Sequence, residues 1–221
     1  PVILHALGIE PPRCVFAHGW WLMQDAKMSK SRGNVVSPVE VSERFGIDAY
    51  KYFLLRDVPF GLDGNFSQES IVQRFNGDLA NDLGNLVHRT ATMLEKYCSG
   101  RIPADFSLAP GAGKEIMSKA VSLKEDTAAA MEVFDFSTAL ERIWTVIGMA
   151  NKYVEETKPW NLSKEGKKAE IEAFLAVLAG VLRSCAFELV PFMPRTAEQI
   201  LAQFSCDEVK KGQPLFPRIE K

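Results

Sequence analysis

The chain has 221 residues, of which 47% are hydrophobic and 24% charged, with 26 Lys and Arg side chains against 28 Asp and Glu. This composition excludes a disordered or fibrous chain, and the net charge of -2 argues against a uniformly basic nucleic-acid-binding surface. No apolar run approaches the roughly 20 residues of a membrane span, and the first residues lack the features of a signal peptide. We therefore expect a globular protein of the cytoplasm with no membrane association.

The cysteines are widely separated and form neither a CxxC pair nor a cluster with histidine; they are Cys14, Cys98, Cys185 and Cys206. This spacing indicates neither a zinc site nor a disulfide framework. We expect four buried or chemically idle thiols and no metal site.

The first 70 residues predict one strand and short helices. Residues 15–22 are nearly continuous in apolar and aromatic side chains, which is typical of a strand covered on both faces. A short helix is predicted to begin after a cap at Ser37, with a proline in its first position, and to end at Gly46. A second helix is predicted from near Asp48, and residues 65–67 predict a short strand or turn.

From about residue 68 the sequence predicts helices almost to its end. Apolar residues recur at three and four positions within residues 79–97, 114–132, 134–156 and 167–189, and a last helix passes through Ile200. We expect Pro159 to block the third of these helices. Several amphipathic helices with complementary stripes form a bundle, so the predicted fold is mainly α, with a small α/β segment in front.

The segment between the predicted strand and the capped helix carries the strongest chemical signal, Lys27-Met28-Ser29-Lys30-Ser31. Two lysines three apart, among small hydroxylated residues and before a glycine, predict a mobile loop that can close on a polyphosphate. A generic Lys/Ser loop is more often a solvated basic turn. This particular string, however, arises by chance roughly once in ten thousand chains of this size, if all residue types are equally frequent.

The string resembles the second signature motif of class I aminoacyl-tRNA synthetases. Its flanks, residues 16–22 and 33–36, are similar to the methionyl-tRNA synthetase family. Four later strings share that likeness: Gly64-Asn65-Phe66-Ser67, Asn81-Asp82-Leu83-Gly84-Asn85-Leu86, Lys158-Pro159-Trp160 and Leu215-Phe216-Pro217-Arg218-Ile219. The resemblance implies that residues 1–68 end a class I nucleotide-binding catalytic domain and that residues 69–221 form an anticodon-binding helix bundle.

The family carries an earlier His-x-Gly-His signature, and no such string occurs in this sequence. We therefore expect the chain to be a carboxy-terminal portion of a family member and to be inactive by itself. The resemblance leaves open whether a further domain provides a homodimer contact.

The resemblance also implies the chemistry of the motif. It makes Lys27 and Lys30 the catalytic cations, with Lys30 facing the phosphates and Lys27 in support. The whole motif, Lys27, Met28, Ser29, Lys30 and Ser31, then binds the nucleotide. Ser29 and Ser31 shape the loop, and Met28 is a packing anchor. The implied substrates are ATP, with Mg, and methionine, without a metal site in this chain.

A second site is predicted on the helix of residues 79–97 and near Trp160. Asn81, Asn85 and Arg89 are spaced by four, so we expect them to stack along one polar face. We expect Trp160 to lie partly exposed in the loop after Pro159. Taken alone, a solvated helix face and a core tryptophan are the more common explanations. The resemblance instead implies that Asn85, Arg89 and Trp160 read the anticodon of tRNA-Met, in the way that proteins bind unpaired RNA bases.

Five lysines surround Trp160 in sequence: Lys152, Lys158, Lys164, Lys167 and Lys168. They predict either a site for the phosphates of an anticodon stem or an ordinary solvated turn, and the sequence does not decide between the two. Trp144, whose neighbours follow a helical spacing, is predicted to be core.

The implied function is ATP-dependent activation of methionine together with recognition of the tRNA-Met anticodon. Other hypotheses remain open. The chain can belong to another class I synthetase of the same subclass, to a non-catalytic tRNA-binding module, or to a helical interaction domain with no nucleic-acid role.

Overall fold

The computed structural model describes residues 2–23, 26–29 and 35–220 of the chain. Its first part contains a small sheet and short helices: α1 (Val2–Ala6), β1 (Trp21–Met23), β2 (Ala26–Lys27), α2 (Pro38–Phe45), α3 (Ile47–Arg56) and β3 (Gly64–Asn65). Helices follow: α4 (Gln68–Arg74), a π-helical segment (Phe75–Gly84), α5 (Asn85–Cys98), α6 (Gly113–Glu132), α7 (Phe136–Thr157), α8 (Pro159–Lys164), α9 (Lys168–Leu189) and α10 (Pro194–Gln203). The predicted fold class is confirmed.

The sheet has the order β2-β1-β3, with β1 in the centre. Strand β1 pairs antiparallel with β2, where Leu22 lies opposite Lys27, and parallel with β3, where Trp21 lies opposite Gly64. The prediction of a covered strand over residues 15–22 is wrong in extent, because the strand covers Trp21–Met23 alone and Val15 is 86% exposed. An extended segment needs backbone partners, and among the described residues only the end of this segment has them.

The first short helix begins and ends as predicted, and the second begins at Ile47, next to the predicted start near Asp48. The Ser37 hydroxyl accepts a hydrogen bond from the backbone N–H of Glu40 at the start of α2. Helix α2 ends at Phe45 and α3 begins at Ile47, so the single residue Gly46 turns the chain, with φ of 85°. This left-handed conformation costs glycine little and other residues much more, which explains why the break falls at this position.

The helix predicted around residues 79–97 is longer and less regular than expected. It runs on from α4, capped by Ser67, and passes through ten π-helical residues before α5. Two carbonyls of the π-helical segment accept side-chain hydrogen bonds from α7. Trp144 Nε1 donates to Asp78 O at 3.3 Å, and Asn151 Nδ2 donates to Asp82 O at 3.2 Å. These donors satisfy carbonyls of a helix whose regular bonding is interrupted.

Helices α6, α7 and α9 form the centre of the bundle, and α10 packs on α9. Helix α9 is the most apolar of them, with fully buried residues on much of its circumference, from Ile171 to Leu189. Helix α7 ends at Thr157, before Pro159, as expected. Lys158 takes a left-handed conformation with φ of 48°, and Pro159 then starts the new helix α8. Proline is favoured at this first helical position because no N–H is needed there.

Three contacts fix the first part of the chain to the bundle. The rings of Tyr52 and Trp144 are 4.4 Å apart, which confirms that Trp144 packs against the core. The buried carboxylate of Asp48 accepts hydrogen bonds from the N–H and the hydroxyl of Thr196 at 2.7 and 2.9 Å. The ring of Phe16 lies 4.7 Å from that of Phe134. The sheet therefore has a defined position on the helices.

Among the helices of the described ranges, none has the length and apolar character needed to cross a membrane.

Candidate functional site

The described part of the predicted phosphate-binding motif, residues 27–29, begins on β2 of the β1–β2 hairpin, which we call the motif hairpin. Lys27 ends β2 with its side chain exposed, while Met28 and Ser29 are half-buried. Met28 packs against the hydrophobic core, as expected for an anchor. The motif therefore starts inside a strand pair and not in a free loop. The predicted cation Lys30, and Ser31 with it, lie outside the described residues.

Hydrogen bonds from the segment around β3 hold the entrance of the hairpin. The N–H of Gly64 donates to Trp20 O at 2.9 Å, and the N–H of Phe66 donates to Leu22 O at 2.8 Å. The backbone N–H of Trp20 donates to Asp63 Oδ1 at 2.6 Å. The chain thus returns beside β1 after α2 and α3, and β3 fixes the strand that pairs with β2, where the motif starts.

The residues of the second predicted site lie on α5 and α8, and α7 lies between these helices in the chain. Asn85 and Arg89 lie one turn apart on α5, and both are half-buried. The guanidinium of Arg89 is 2.5 Å from Glu155 Oε1 on α7, with 27% of the Arg89 side chain exposed. Glu155 lies in the last turn of α7, shortly before Trp160 on α8. The structure therefore brings Arg89 and Trp160 to the same end of the bundle.

Trp160 is exposed, as predicted, but it lies in a short helix and not in a loop. Its side chain is 41% exposed, whereas the preceding Pro159 is buried. The buried proline and the left-handed Lys158 fix the direction in which α8 leaves the bundle. An indole held on a rigid element in this way offers an aromatic face to solvent without first having to be ordered.

Asn81 does not share the position of the other two polar residues. It lies in the π-helical segment, where hydrogen bonds join residues five apart, whereas Asn85 and Arg89 lie in regular α-helix. Asn81 is exposed, whereas Asn85 and Arg89 are half-buried, and the stacking of all three along one face stays a prediction. The apolar periodicity of the sequence contained no signal for the π-helical segment.

Acidic side chains line the neighbouring face of the π-helical segment. Partial burial raises the pKa of Asp82, and the negative charge of Asp78 raises it further. Asp78 Oδ2 accepts a hydrogen bond from the Tyr52 hydroxyl at 2.7 Å and pairs with Arg74 at 3.2 Å. Burial first, and then the Asp78 carboxylate, raise the pKa of Tyr52. These groups connect α3 with the long helix and are not directed to Trp160.

Glutamates neutralise much of the predicted lysine cluster. Lys152 pairs with Glu156 at 3.5 Å, Lys167 with Glu165 at 2.9 Å, and Lys168 with Glu172 at 3.6 Å. Within the described chain no ion pair involves the other two members, Lys158 and Lys164, which adjoin Trp160 on either side. An RNA phosphate near Trp160 would therefore meet these two cations first.

No group of three or more His, Cys, Asp or Glu side chains in the described ranges is arranged to hold a metal ion. Cys14 and Cys206 are exposed, Cys98 is half-buried, and Cys185 is buried.

Two family sequence models match the chain. The model described as tRNA synthetases class I (M) matches residues 1–91, and the model described as anticodon-binding domain of tRNA ligase matches residues 113–217. The first range contains the motif hairpin and the second contains Trp160. Their order along the chain is the one that the sequence resemblance implies.

Curated relatives carry the same likeness over the whole chain. The methionine–tRNA ligase of Enterococcus faecalis (strain ATCC 700802 / V583) is 44% identical over 240 residues, and that of Bacillus subtilis (strain 168) is 43% identical over 244 residues. Each alignment covers 100% of this chain but only 36% of the relative.

Solved structures agree with this assignment. Mycobacterium tuberculosis methionyl-tRNA synthetase bound by methionyl-adenylate superposes with a TM-score of 0.89 at 37% identity, over 98% of this chain and 46% of that protein. The apo form of the same enzyme superposes with a TM-score of 0.85 at 35% identity, over 100% of this chain and 46% of that one. The likeness holds for both the motif hairpin and the bundle, and the chain belongs to the methionyl-tRNA synthetase family of class I aminoacyl-tRNA synthetases.

Proposed function

We propose that this chain is the part of a methionine–tRNA ligase that stabilises the leaving pyrophosphate and recognises the anticodon of tRNA-Met. The observation that best supports the RNA-binding part of this proposal is the ion pair between Arg89 and Glu155, because Glu155 lies five residues before Trp160 and the pair therefore places Arg89 at the end of α7 that leads to Trp160. The named relatives support the activity, since they are methionine–tRNA ligases. Because tRNA is charged and used in the cytoplasm, we propose that location.

The two proposed roles belong to different parts of the chain. Residues 1–68 are proposed to end the catalytic domain and residues 69–221 to form the anticodon-binding bundle. The cap at Ser67 supports this boundary, because α4 starts at the next residue. The class I sequence model runs on to residue 91, so the long helix from α4 through α5 is the element that joins both parts.

In the proposed reaction the methionine carboxylate attacks the α-phosphorus of ATP and pyrophosphate leaves. Negative charge then grows on the leaving group, and fixed cations that face this charge lower the barrier. Lys30 is the proposed principal cation and Lys27 its support, with Met28, Ser29 and Ser31 shaping the nucleotide-binding hairpin. Exposure of Lys27 at the edge of the sheet agrees with this role.

Mg would arrive with the phosphates of ATP. The described part of the motif hairpin gives it no carboxylate ligand, since Ala26, Lys27, Met28 and Ser29 carry none. We assign no step to the metal. The first signature string is also absent from this sequence, and we expect the 221-residue chain alone to show no methionine-dependent ATP–pyrophosphate exchange.

In the proposed RNA site Trp160 stacks on one anticodon base, while Asn85 and Arg89 donate hydrogen bonds to base edges. Arg89 pairs with Glu155 in the free chain, so its guanidinium is already oriented toward the end of α7. Unpaired anticodon bases expose both their faces and their edges, which suits one aromatic platform beside polar side chains.

Binding of an anticodon stem-loop to the isolated chain tests this proposal. Trp160→Ala should weaken binding of a stem-loop with a CAU anticodon about 5- to 150-fold, the equivalent of about 1 to 3 kcal/mol for one stacked base. Binding of the unchanged chain should also weaken as salt concentration rises. Fluorescence titration with labelled RNA measures both effects.

Phe187→Ala is the matched control, because Phe187 is 59% exposed near the end of α9 that is remote from Trp160. It should leave the dissociation constant unchanged. Equal affinity for stem-loops with unrelated anticodons would contradict methionine-specific recognition and favour a general tRNA-binding module. An unchanged constant in Trp160→Ala would remove Trp160 from the site.

A further inference from the structure

Lys27, the first cation of the motif, contacts an aromatic residue that precedes the hairpin. Its Nζ lies 3.8 Å from the centre of the Trp20 ring. The strand register explains the contact. Lys27 is opposite Leu22, and Trp20 is two residues before Leu22 on the same face, so the two side chains are diagonal neighbours. A long lysine side chain spans this diagonal easily.

The backbone of Trp20 is held from two directions. Its N–H donates to Asp63 Oδ1 at 2.6 Å, and its carbonyl accepts from the N–H of Gly64 at 2.9 Å. The preceding residue, Gly19, lies so close to the backbone of Leu62 that a Cβ at this position would clash with the Leu62 carbonyl oxygen. The backbone position of Trp20 is therefore restricted, although its side chain is 59% exposed.

An indole ring can hold a lysine ammonium group that must later bind phosphate. The face of the ring attracts an ammonium group through its quadrupole and does not neutralise the charge. A carboxylate in the same place would compete directly with the phosphate oxygens. The Asp63 carboxylate accepts the hydrogen bond from the backbone N–H of Trp20. The contact with the indole can thus restrain the Lys27 side chain without removing its positive charge.

We propose that Trp20 is a positioning residue for Lys27: its indole holds the ammonium group at the motif hairpin, where it meets the phosphates of ATP. This role rests on the proposed function, since it requires that the hairpin bind ATP. Trp20 belongs neither to the motif of residues 27–31 nor to the predicted anticodon-binding site.

The contact has a spectroscopic signature in the 221-residue chain. Protons above an indole face resonate upfield, so the ε-methylene of Lys27 should be shifted from the position of exposed lysines, with Lys27→Arg providing the assignment. Trp20→Leu should abolish the shift. Phe16→Leu is the matched control, because Phe16 is a half-exposed aromatic of the same segment that stacks on Phe60. A shift that persists in Trp20→Leu, or that is absent from the unchanged chain, would overturn the contact.

The functional role is tested in the full-length enzyme that carries this sequence, by methionine-dependent ATP–pyrophosphate exchange. Trp20→Leu should lower kcat about 2- to 5-fold, the range of an exposed cation–π contact, and leave the KM for methionine unchanged. Trp20→Phe should restore part of the loss. In a Lys27→Met background, Trp20→Leu should have no further effect, because the contact is already gone.

The outcomes separate the two proposals. If Trp20→Leu lowers kcat by the same factor in the presence and absence of Lys27, the positioning role is overturned. The proposed function still stands in that case, because the unchanged enzyme catalyses the exchange. A rise in the KM for methionine with kcat unchanged would also overturn the positioning role. No exchange by the unchanged full-length enzyme would refute the proposed function, and the positioning role with it, even where the upfield shift demonstrates the contact.

Discussion

Individual side chains in both sites have partners that lie on other elements. Arg89 meets Glu155 across α5 and α7, and Lys27 meets Trp20 across the hairpin. The sequence motif identified Lys27 by type, and family resemblance identified Arg89. Neither the motif nor the resemblance predicted the partners Trp20 and Glu155, because strand register and helix packing determine which residues come into contact. Trp20 itself was assigned to a covered strand, although its ring is mostly exposed.

Cysteine reactivity gives a prediction at this scale. Burial raises the pKa of the Cys185 thiol to about 12, with a smaller contribution from the charge of Glu188. The thiolate is the reactive form, so Cys185 should resist iodoacetamide at pH 8 in the native chain, whereas exposed Cys14 and Cys206 should react. Mass spectrometry of peptides after alkylation measures this. Modification of Cys185 as fast as Cys206 before unfolding would contradict it.

At the scale of elements, α7 connects most of the molecule. Its 22 residues extend about 33 Å and carry Trp144, Asn151 and Glu155 on the side that faces the long helix. These three side chains contact residues 78, 82 and 89, in the same order along both helices. The two helices therefore run parallel, and α7 leads to the predicted RNA site.

The start of α7 depends on one carboxylate. Asp135 accepts a hydrogen bond from the N–H of Thr138 at 3.0 Å, and this bond lowers the pKa of Asp135. Asp135→Ala should lower the free energy of unfolding by about 0.5 to 2 kcal/mol at pH 7, as for other helix caps. Urea titration followed by circular dichroism measures the change.

The sign of the pH dependence follows from the lowered pKa. The stabilisation by Asp135 is complete above its unfolded pKa of about 3.9 and is lost as pH falls through the lower folded value. The difference between the unchanged chain and Asp135→Ala should therefore shrink below about pH 4. Asp135→Asn keeps an acceptor without the charge and is the control. A difference that stays constant down to acid pH would rule out an ionised cap.

For the whole molecule, the contact between Asp48 and Thr196 joins the first part of the chain to α10. Met193, which precedes α10, provides no side-chain cap, and the Asp48 carboxylate of α3 takes that place by binding the N–H of Thr196. Asp48 is 6% exposed, so water does not replace it easily.

Removing this carboxylate should destabilise the chain more than removing its hydroxyl partner. Asp48→Ala should lower the free energy of unfolding by about 1.5 to 3 kcal/mol, the range for bonds to charged groups, because a buried N–H loses its acceptor. Thr196→Val keeps that N–H bond and should cost about 1 kcal/mol. Equal losses in the two variants, measured by urea unfolding, would show that the backbone bond contributes nothing.

The carboxyl-terminal segment also packs back on the long helix. The Asn76 side chain donates to Ile219 O and accepts from its N–H, both at 2.9 Å, and the ring of Phe216 packs on Phe75 at 5.7 Å. The sequence string around Phe216 was notable only through family resemblance. Its structural reason is this paired attachment across 143 positions.

The sequence by itself determined the features that depend on near neighbours. Caps at Ser37, Ser67 and Asp135 act within three residues, and apolar repeats at three and four positions define the bundle helices, so both can be read from local patterns. The tertiary structure decided which remote segments supply strand partners, hydrogen-bond donors and ring contacts. It limited β1 to the residues that β2 and β3 can pair, satisfied the π-helical carbonyls from α7, and placed Lys27 on Trp20. Hydrogen-bond partners and packing faces that lie far apart in the chain leave no periodic signal, and only their meeting in the fold determines them.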